Sequence, residues 1–142
     1  MSNKSFEHIE ILAETYDREL GGADFDLVIL NLLADRFNAM KERQGKPDIR
    51  TNARAMKRLL KEVVRVKDIL SANKQTQVKV GELADYVTLL TTVERTEFEE
   101  ASEHLFARAV KPILEVLEKT GLTIADVDQI ELLGGGIRIP KI

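Results

Sequence analysis

The C-terminal stretch Leu133-Gly134-Gly135-Gly136-Ile137-Arg138-Ile139-Pro140-Lys141-Ile142 decides the fold of this chain. The apolar run before it, residues 130–133, predicts a strand that ends at three consecutive glycines followed closely by an arginine. Glycines let the backbone approach a ligand closely, and an arginine adds a planar cation beside that backbone. The stretch therefore indicates a nucleotide-binding edge. The alternative is a tight turn that leads into an ordinary helix.

Two further segments make the interpretation of this ending more specific. Leu20-Gly21-Gly22-Ala23-Asp24-Phe25-Asp26 lies towards the other end of the chain, and Leu70-Ser71-Ala72-Asn73 closes a long basic helix between the two glycine elements. In this order, the three segments resemble the ATPase domain of the 70-kDa heat shock protein (DnaK-like) superfamily. The resemblance covers nearly all of the chain from about Phe6 onward, and it is specific as a set.

Within that superfamily, residues 16–22, 55–62 and 70–73 look most like the large branch, and most of all like its hypoxia-induced class of the endoplasmic reticulum. The cytosolic 110-kDa class shares the Leu-Ser-Ala-Asn ending and is the nearest alternative. The resemblance implies a chaperone that acts as nucleotide exchange factor and holdase for a conventional 70-kDa chaperone, located in the lumen of the endoplasmic reticulum or, alternatively, in the cytoplasm. The other functional hypothesis is a lobe of a conventional cycling ATPase chaperone.

The composition sets outer limits on these hypotheses. With 142 residues, of which 44% are hydrophobic and 32% charged, the chain is long enough for one core. A net charge of -3 and a pI near 5.5 argue against nucleic acid as a partner. The sequence has no cysteine, which excludes disulfides and zinc-thiolate sites. No stretch approaches the roughly 18 apolar residues of a membrane span, and no signal segment follows Met1, so no membrane is expected.

Periodicity predicts an α+β order of elements. The predicted helices are residues 24–43, 52–72 and 95–119, with a kink at Pro112, and the predicted strands are residues 6–15, 75–80, 86–93 and 130–133. Gly121 should end the last helix, and residues 123–126 resemble a capping box that opens a single turn. The central elements therefore predict three helices packed on a small antiparallel sheet.

The resemblance implies an actin-like ATPase domain, of which this chain is most of the second lobe. Residues 1–20 would be a strand remnant of the inner subdomain, residues 21–120 the outer α+β subdomain, and residues 121–142 an inner strand with the nucleotide loop. The superfamily's first-lobe phosphate turn has no counterpart here, so we expect a piece of a larger protein. That piece should be monomeric and unable to hydrolyse ATP alone, and the complete protein should be at most a weak ATPase. Unfolded polypeptides would bind to other domains.

The helix at residues 52–72 carries the first half of the expected ligand site. Val64, Lys67, Asp68 and Ser71 lie at spacings of three and four residues and so share one stripe. In the superfamily this stripe faces adenosine and carries glutamate, lysine, arginine and serine, so two of the four residue types match. The resemblance therefore implies ATP or ADP as ligand, with Mg²⁺ held by other parts of the protein.

The glycine-rich ending supplies the second half, Gly134, Gly135, Gly136 and Arg138. The superfamily has Gly-Gly-Ser-Thr-Arg here, so the hydroxyls of the serine and the threonine are missing. Asp68 replaces an arginine that would sandwich the purine, and it can instead pair with Arg138. Adenine stacking would then depend on Arg138 alone. These departures fit the large branch, whose members use bound ATP as a structural latch more than as fuel.

Other combinations of residues predict no catalytic or metal site. His8 and His104 are the only histidines and lie far apart in the sequence without patterned partners. The acidic residues Glu97, Glu99, Glu100 and Glu103 lie near a predicted helix start, where the helix dipole favours negative charge.

Overall fold

The structure is a computed structural model that describes residues 9–142. Its main elements are, in chain order, α1 Gly22–Asn38, α2 Ala53–Ala72, β1 Gln75–Ala84, β2 Val87–Glu94, α3 Arg95–Ala101 and α4 Glu103–Thr120. Short 3₁₀ turns occur at Lys41–Arg43, Ile49–Thr51, Ile124–Asp126 and Gly135–Arg138. The predicted α+β class is confirmed. Within residues 9–142, none of the helices combines the length and the apolar character that crossing a bilayer requires.

Helix α1 begins at the second residue of the first glycine pair, with Gly21 as its N-cap. The extended backbone of Gly21 stops the helix from starting earlier, and the Gly21 N–H donates to the Asp24 carboxylate at 2.7 Å. The helix ends at Asn38, earlier than predicted, because the chain turns there and continues into the 3₁₀ turn Lys41–Arg43. That turn carries the Arg43 side chain into the interior.

Helix α2 matches the predicted residues 52–72 closely. The side chain of Asn52 accepts a hydrogen bond from the Ala55 N–H at 3.1 Å and caps the start. The inward residues recur at spacings of three and four, as expected for one buried face of a helix. They are Ala55, Leu59, Val63, Val66 and Leu70.

The two strands form an antiparallel hairpin that lies against α2. Thr76 pairs with Val93 and Val80 with Leu89, and the buried side chains of β1 alternate along this regular part. The register becomes irregular between Val80 and Ala84. Both strands were predicted, and their pairing is confirmed.

The predicted helix at residues 95–119 is two helices, and the break lies at Ser102 instead of Pro112. The Ser102 N–H donates to the Phe98 and Glu99 carbonyls and closes α3, while the Ser102 carbonyl accepts from the Leu105 N–H at 2.8 Å and opens α4. Helix α4 continues through Pro112 to Thr120. The ring of Pro112 removes a single backbone donor there, and the rest of the helical bonding holds. Gly121, with φ 69°, ends α4 as predicted.

The two outer strand predictions are wrong for the described residues. Residues 6–8 lie outside them, and residues 9–15 and 130–133 are not in strands. A strand needs a neighbouring backbone to pair with, and the sheet of the described residues contains only β1 and β2. Residues 14–17 instead lie beside α4, where the Thr15 hydroxyl donates to the Pro112 carbonyl at 2.6 Å and Arg108 pairs with Asp17.

Candidate nucleotide-binding site

The predicted stripe lies on the surface of α2. Val64 and Asp68 are exposed, while Val63, Val66 and Leu70 point into the core. The helix register therefore separates the stripe from the buried face, as its spacing predicted. Three segments meet at this side of α2: the start of α1, the C-terminal half of α2 itself and the glycine-rich ending.

Lys67 joins the stripe to the start of α1. Its ammonium lies 2.7 Å from Oδ1 of Asp26 and donates to the Gly22 carbonyl at 3.0 Å. The side chains of Lys67 and Asp26 are only 19% and 16% exposed, so the ion pair is largely shielded from water. A methyl group at Gly22 would lie 3.4 Å from the Lys67 ammonium, an ordinary van der Waals distance, so this contact does not itself require a glycine. The Asp26 carboxylate of the same chain therefore balances the charge of Lys67.

Sequence reasoning missed Asp26 and Gly22 as the partners of Lys67. The sequence contained a signal for this contact, because Asp26 follows the double glycine closely and lies in the first turns of α1. The distance between Asp26 and Lys67 along the chain hid the contact, since only the packing of α1 against α2 brings them together.

Ser71 is also engaged within its own helix. Its hydroxyl donates to the Asp68 carbonyl at 2.6 Å. That back-bond uses the hydroxyl hydrogen and leaves the oxygen as an acceptor. Ser71 can therefore accept a hydrogen bond from a ligand but donates none in this arrangement.

Asp68 and Arg138 face each other across the gap between α2 and the glycine-rich ending. Nη1 of Arg138 lies 3.9 Å from Oδ1 of Asp68, and the side chains of Arg138 and Asp68 are 72% and 59% exposed. This is the pairing that the sequence indicated as an alternative to a cationic sandwich. An exposed pair at this distance holds weakly, so the guanidinium remains accessible to a flat ligand.

The glycines give Arg138 its position. Gly134 has φ 104°, a conformation that favours glycine, and it leads into the 3₁₀ turn Gly135–Arg138. Nothing lies within 4 Å of where a side chain would stand at Gly134, Gly135 or Gly136, so the surface beside them is open.

The residues that follow Arg138 fix the turn to the domain. Ile139 is buried in the core, and the ammonium of Lys141 lies 5.1 Å from the centre of the Phe106 ring and pairs with Glu103. The core thereby sets how far Arg138 stands from α2.

This arrangement suits the base and sugar of a nucleotide. The planar guanidinium of Arg138 can stack on a purine, and the open glycine backbone can lie against it. The described residues contain no cluster of three or more histidine, aspartate or glutamate side chains that could hold a metal ion.

Two of the four acidic residues near α3 have ion-pair partners. Glu97 pairs with Arg36 of α1, and Glu103 pairs with Lys141. His104 lines a groove of about 460 Å³ between α1 and α4, and His8 lies outside the described residues. None of these contacts adds a residue to the stripe.

Comparison with known proteins gives a consistent result. The family model described as "Hsp70 protein" matches residues 6–142. A heat shock protein homolog of Naumovozyma castellii is 36% identical over 94% of this chain and 19% of the relative. "Hypoxia up-regulated protein 1" of Xenopus laevis is 38% identical over 94% of this chain and 20% of the relative, and that of Homo sapiens 35% identical over 94% and 13%. The chain thus spans about a fifth or less of the length of these relatives.

Proposed function

The chain belongs to the Hsp70 family, and on that basis we propose that it forms part of the ATP-binding domain of a large heat-shock-type chaperone. The complete protein would serve as nucleotide exchange factor and holdase for a conventional 70-kDa chaperone. Its partners would be the ATPase domain of that chaperone and, through other domains, unfolded polypeptides. The relatives named for hypoxia up-regulation and for heat shock support this branch.

One observation carries the proposed ligand site. The glycine-rich ending places the Arg138 guanidinium within 3.9 Å of Asp68 on the exposed stripe of α2, with open glycine backbone beside it. In the proposed site, Arg138 stacks on adenine, Gly134 to Gly136 let the ligand approach, and Val64 forms an apolar wall. Ser71 accepts a hydrogen bond from the sugar or base.

Lys67 takes a different role in this proposal from the one its position in the family implies. Because its ammonium already contacts Asp26 and the Gly22 carbonyl, it holds the start of α1 beside the site and leaves ligand contact mainly to Arg138. Bound ATP or ADP would bring Mg²⁺, which other parts of the protein would hold. The chain alone would then not hydrolyse ATP.

The assignment of the chain to subdomains belongs to the same proposal. Residues 1–20 and 121–142 would belong to the inner subdomain and residues 21–120 to the outer one. The exposed apolar residues at both ends of the described chain, such as Ile9, Ile11 and Leu133, support this because an inner sheet would cover them.

We place the complete protein in the lumen of the endoplasmic reticulum, with the cytoplasm as the alternative. Sequence identity does not distinguish the two compartments, since the heat shock protein homolog and the hypoxia up-regulated relatives are all between 35% and 38% identical to this chain.

A conventional cycling ATPase chaperone is the competing function. Such a protein would be expected to carry glutamate and arginine where this chain has Val64 and Asp68. The structure leaves both positions on the exposed stripe beside Arg138. The apolar Val64 and the acidic Asp68 therefore favour a protein that uses bound nucleotide as a structural latch over one that cycles through ATP hydrolysis.

Calorimetric titration of the complete protein with ADP tests the site. Arg138→Ala should weaken binding by about 1 to 3 kcal/mol, the range of a lost stacking and charge contact. Asp68→Arg together with Val64→Glu should strengthen it about tenfold by restoring a second stacking cation. Lys61→Ala, an exposed change on the same helix, is the matched control. Unchanged affinity in both site variants would overturn the site.

A second assay tests the proposed role in nucleotide exchange. The complete protein should speed the release of labelled ADP from the ATPase domain of a conventional 70-kDa chaperone. If release stays at its spontaneous rate while the protein itself binds ADP, the role as exchange factor is wrong and the nucleotide site stands.

A further inference from the structure

Strand β2 contains an uncharged run without proline or glycine, Val87-Thr88-Leu89-Leu90-Thr91-Thr92-Val93. Segments of about this length with high β-propensity and low charge pair readily with copies of themselves. The run lies at the edge of a two-stranded sheet, because no further strand joins β2 within residues 9–142. The outer backbone groups of an edge strand are a template for pairing with another chain, so this edge needs protection.

The register of the hairpin identifies the backbone groups of β2 that face outward. In an antiparallel pair, facing residues either exchange both of their backbone hydrogen bonds or turn both groups away from each other. The Thr92 carbonyl accepts a hydrogen bond from Arg36 of α1. The carbonyl of Gln77, which faces Thr92, accepts one from Arg65 of α2 at 3.4 Å. Both carbonyls therefore point away from the hairpin, and so does that of Leu90, two residues before Thr92.

Arg36 closes the outer edge of β2 from the last turn of α1. Its Nη1 donates to the Thr92 carbonyl and, at 3.1 Å, to the Thr91 hydroxyl. Its Nη2 pairs with Glu97 of α3, and the side chains of Arg36 and Glu97 are 30% and 33% exposed. The guanidinium thereby occupies a carbonyl that an incoming strand would need, and Glu97 holds it in place.

The outer edge of β1 is protected in a different way. Lys79 supplies a charge within that strand, and Arg58 of α2 donates to the carbonyls of Gly81 and Glu82 at 2.6 and 2.8 Å. Charged side chains are the usual protection of edge strands. Because residues 87–93 carry no charge of their own, the protection of β2 has to come from a neighbouring element.

We propose that Arg36 is the gatekeeper of the β2 edge, which it keeps from pairing with the same strand of a second copy of this chain. A second copy is the partner that the sequence favours, because the run 87–93 would meet an identical run, and identical uncharged strands can stack their side chains in register. This role goes beyond the proposed function and does not depend on the nucleotide site.

Arg36→Met tests the gatekeeper, because it removes the bond to Thr92 and keeps an unbranched side chain. Sedimentation velocity and thioflavin T fluorescence of the chain measure self-association. The assembled, thioflavin-positive fraction should rise at least about tenfold over wild type.

Arg50→Met is the matched control. The Arg50 side chain is 34% exposed, close to the value for Arg36, and it pairs with Asp35 of α1. The partners of its guanidinium, Asn31, Asp35 and Asp48, all lie outside the strands. This variant loses the same charge and leaves the β2 edge closed, so it should assemble no more than the wild type.

Two second-site changes in the Arg36→Met background separate edge pairing from a general loss of stability. The Thr92 N–H points outward like its carbonyl, so Thr92→Pro removes an outward donor and no hydrogen bond of the hairpin. Leu90 is 57% exposed, and Leu90→Lys adds a charge to the strand. Each change should return association to near the wild-type level.

Arg36→Met that assembles no more than the wild type would overturn the gatekeeper role. Equal assembly of Arg36→Met and Arg50→Met would also overturn it, since the lost charge would then be the cause, and so would assembly that neither Thr92→Pro nor Leu90→Lys reduces. If Arg36→Met loses its helical circular dichroism, Arg36→Lys replaces it in the test. Lysine keeps the charge and lacks the fork that serves Thr92 and Glu97 together, so wild-type behaviour of that variant would contradict the proposal.

Discussion

The ammonium of Lys67 lies 2.7 Å from a carboxylate oxygen of Asp26 and joins α2 to the first turns of α1. The family resemblance assigned Lys67 to the adenosine. In the site that we propose, its contacts with Asp26 and the Gly22 carbonyl give it a positioning role instead, because they hold the start of α1 beside the stripe that carries Val64 and Asp68. The distinction has consequences for stability that can be measured on the chain itself.

Lys67→Met should lower the free energy of unfolding by about 1 to 3 kcal/mol, because the shielded Asp26 carboxylate would lose its cation. Urea denaturation measures the loss. Lys61→Met on the same helix is the control, since Lys61 is exposed and surface changes usually stay within about 0.5 kcal/mol. Equal stability of the two variants would show that the ion pair contributes nothing to the fold.

Asp85→Ala should destabilise the chain more than Arg43→Met does. Removing the carboxylate leaves the buried guanidinium of Arg43 without its ion-pair partner, at a cost of about 3 kcal/mol. Arg43→Met replaces the buried cation by an apolar side chain of similar length. Thermal unfolding of both variants and of the double variant gives the comparison. The reverse order would mean that the packing of Arg43 on Phe37 outweighs its charge.

Ser102→Ala should leave stability unchanged or raise it by about 1 kcal/mol, because the hydroxyl is buried without a hydrogen-bond partner among the described residues. The helix break should survive, since it depends on backbone bonds of Ser102. Differential scanning calorimetry is the measurement, with Ser71→Ala as the comparison, since Ser71 is half-buried and its hydroxyl is hydrogen-bonded. A fall of more than about 1 kcal/mol would mean that the hydroxyl is bonded after all.

Acid should weaken the attachment of residues 14–17 to α4. The Glu19 N–H and the Arg108 guanidinium, both donating to the carboxylate, hold the pKa of Asp17 below its ordinary value of 3.8. A lowered folded-state pKa contributes stability above the unfolded value, and this is lost as pH falls through the folded pKa.

Asp17→Asn should therefore flatten the stability curve below about pH 4, where the wild-type chain loses this contribution. Unfolding curves recorded between about pH 5 and 2 would show it. Arg108→Gln keeps the Glu19 hydrogen bond, the largest single cause of the lowered pKa, and should therefore retain part of the pH dependence. Identical curves for wild type and Asp17→Asn would contradict the prediction.

The parts of the fold that sequence predicted best are those fixed by nearby residues. The inward residues of α2 recur at helical spacing and Asn52 caps its start, so both its extent and its buried face followed from local pattern. The alternation in β1 and the break at Gly121 were equally local. The glycine-rich ending and the stripe on α2 supplied the candidate site, but their separation in space did not follow from the pattern.

The wrong predictions share one physical cause. Each of these features depends on a partner that is distant in the sequence. An apolar alternation such as that of residues 9–15 becomes a strand only where another backbone pairs with it, and no third strand joins β1 and β2 among the described residues. The split of the third helix depends on Ser102 being buried at a corner of the core, and Pro112 was the stronger local signal.

By itself, then, the sequence determined the helical faces, the hairpin, the glycine turns and the family, because each depends on residue type at short spacing. Only the tertiary structure decided which charges meet. It pairs Lys67 with Asp26, sets Arg138 opposite Asp68, and buries Arg43 to hold a turn with Tyr86 at its tip. An ion pair forms wherever packing brings opposite charges within a few ångströms, and that distance is a property of the assembled core that no local pattern contains.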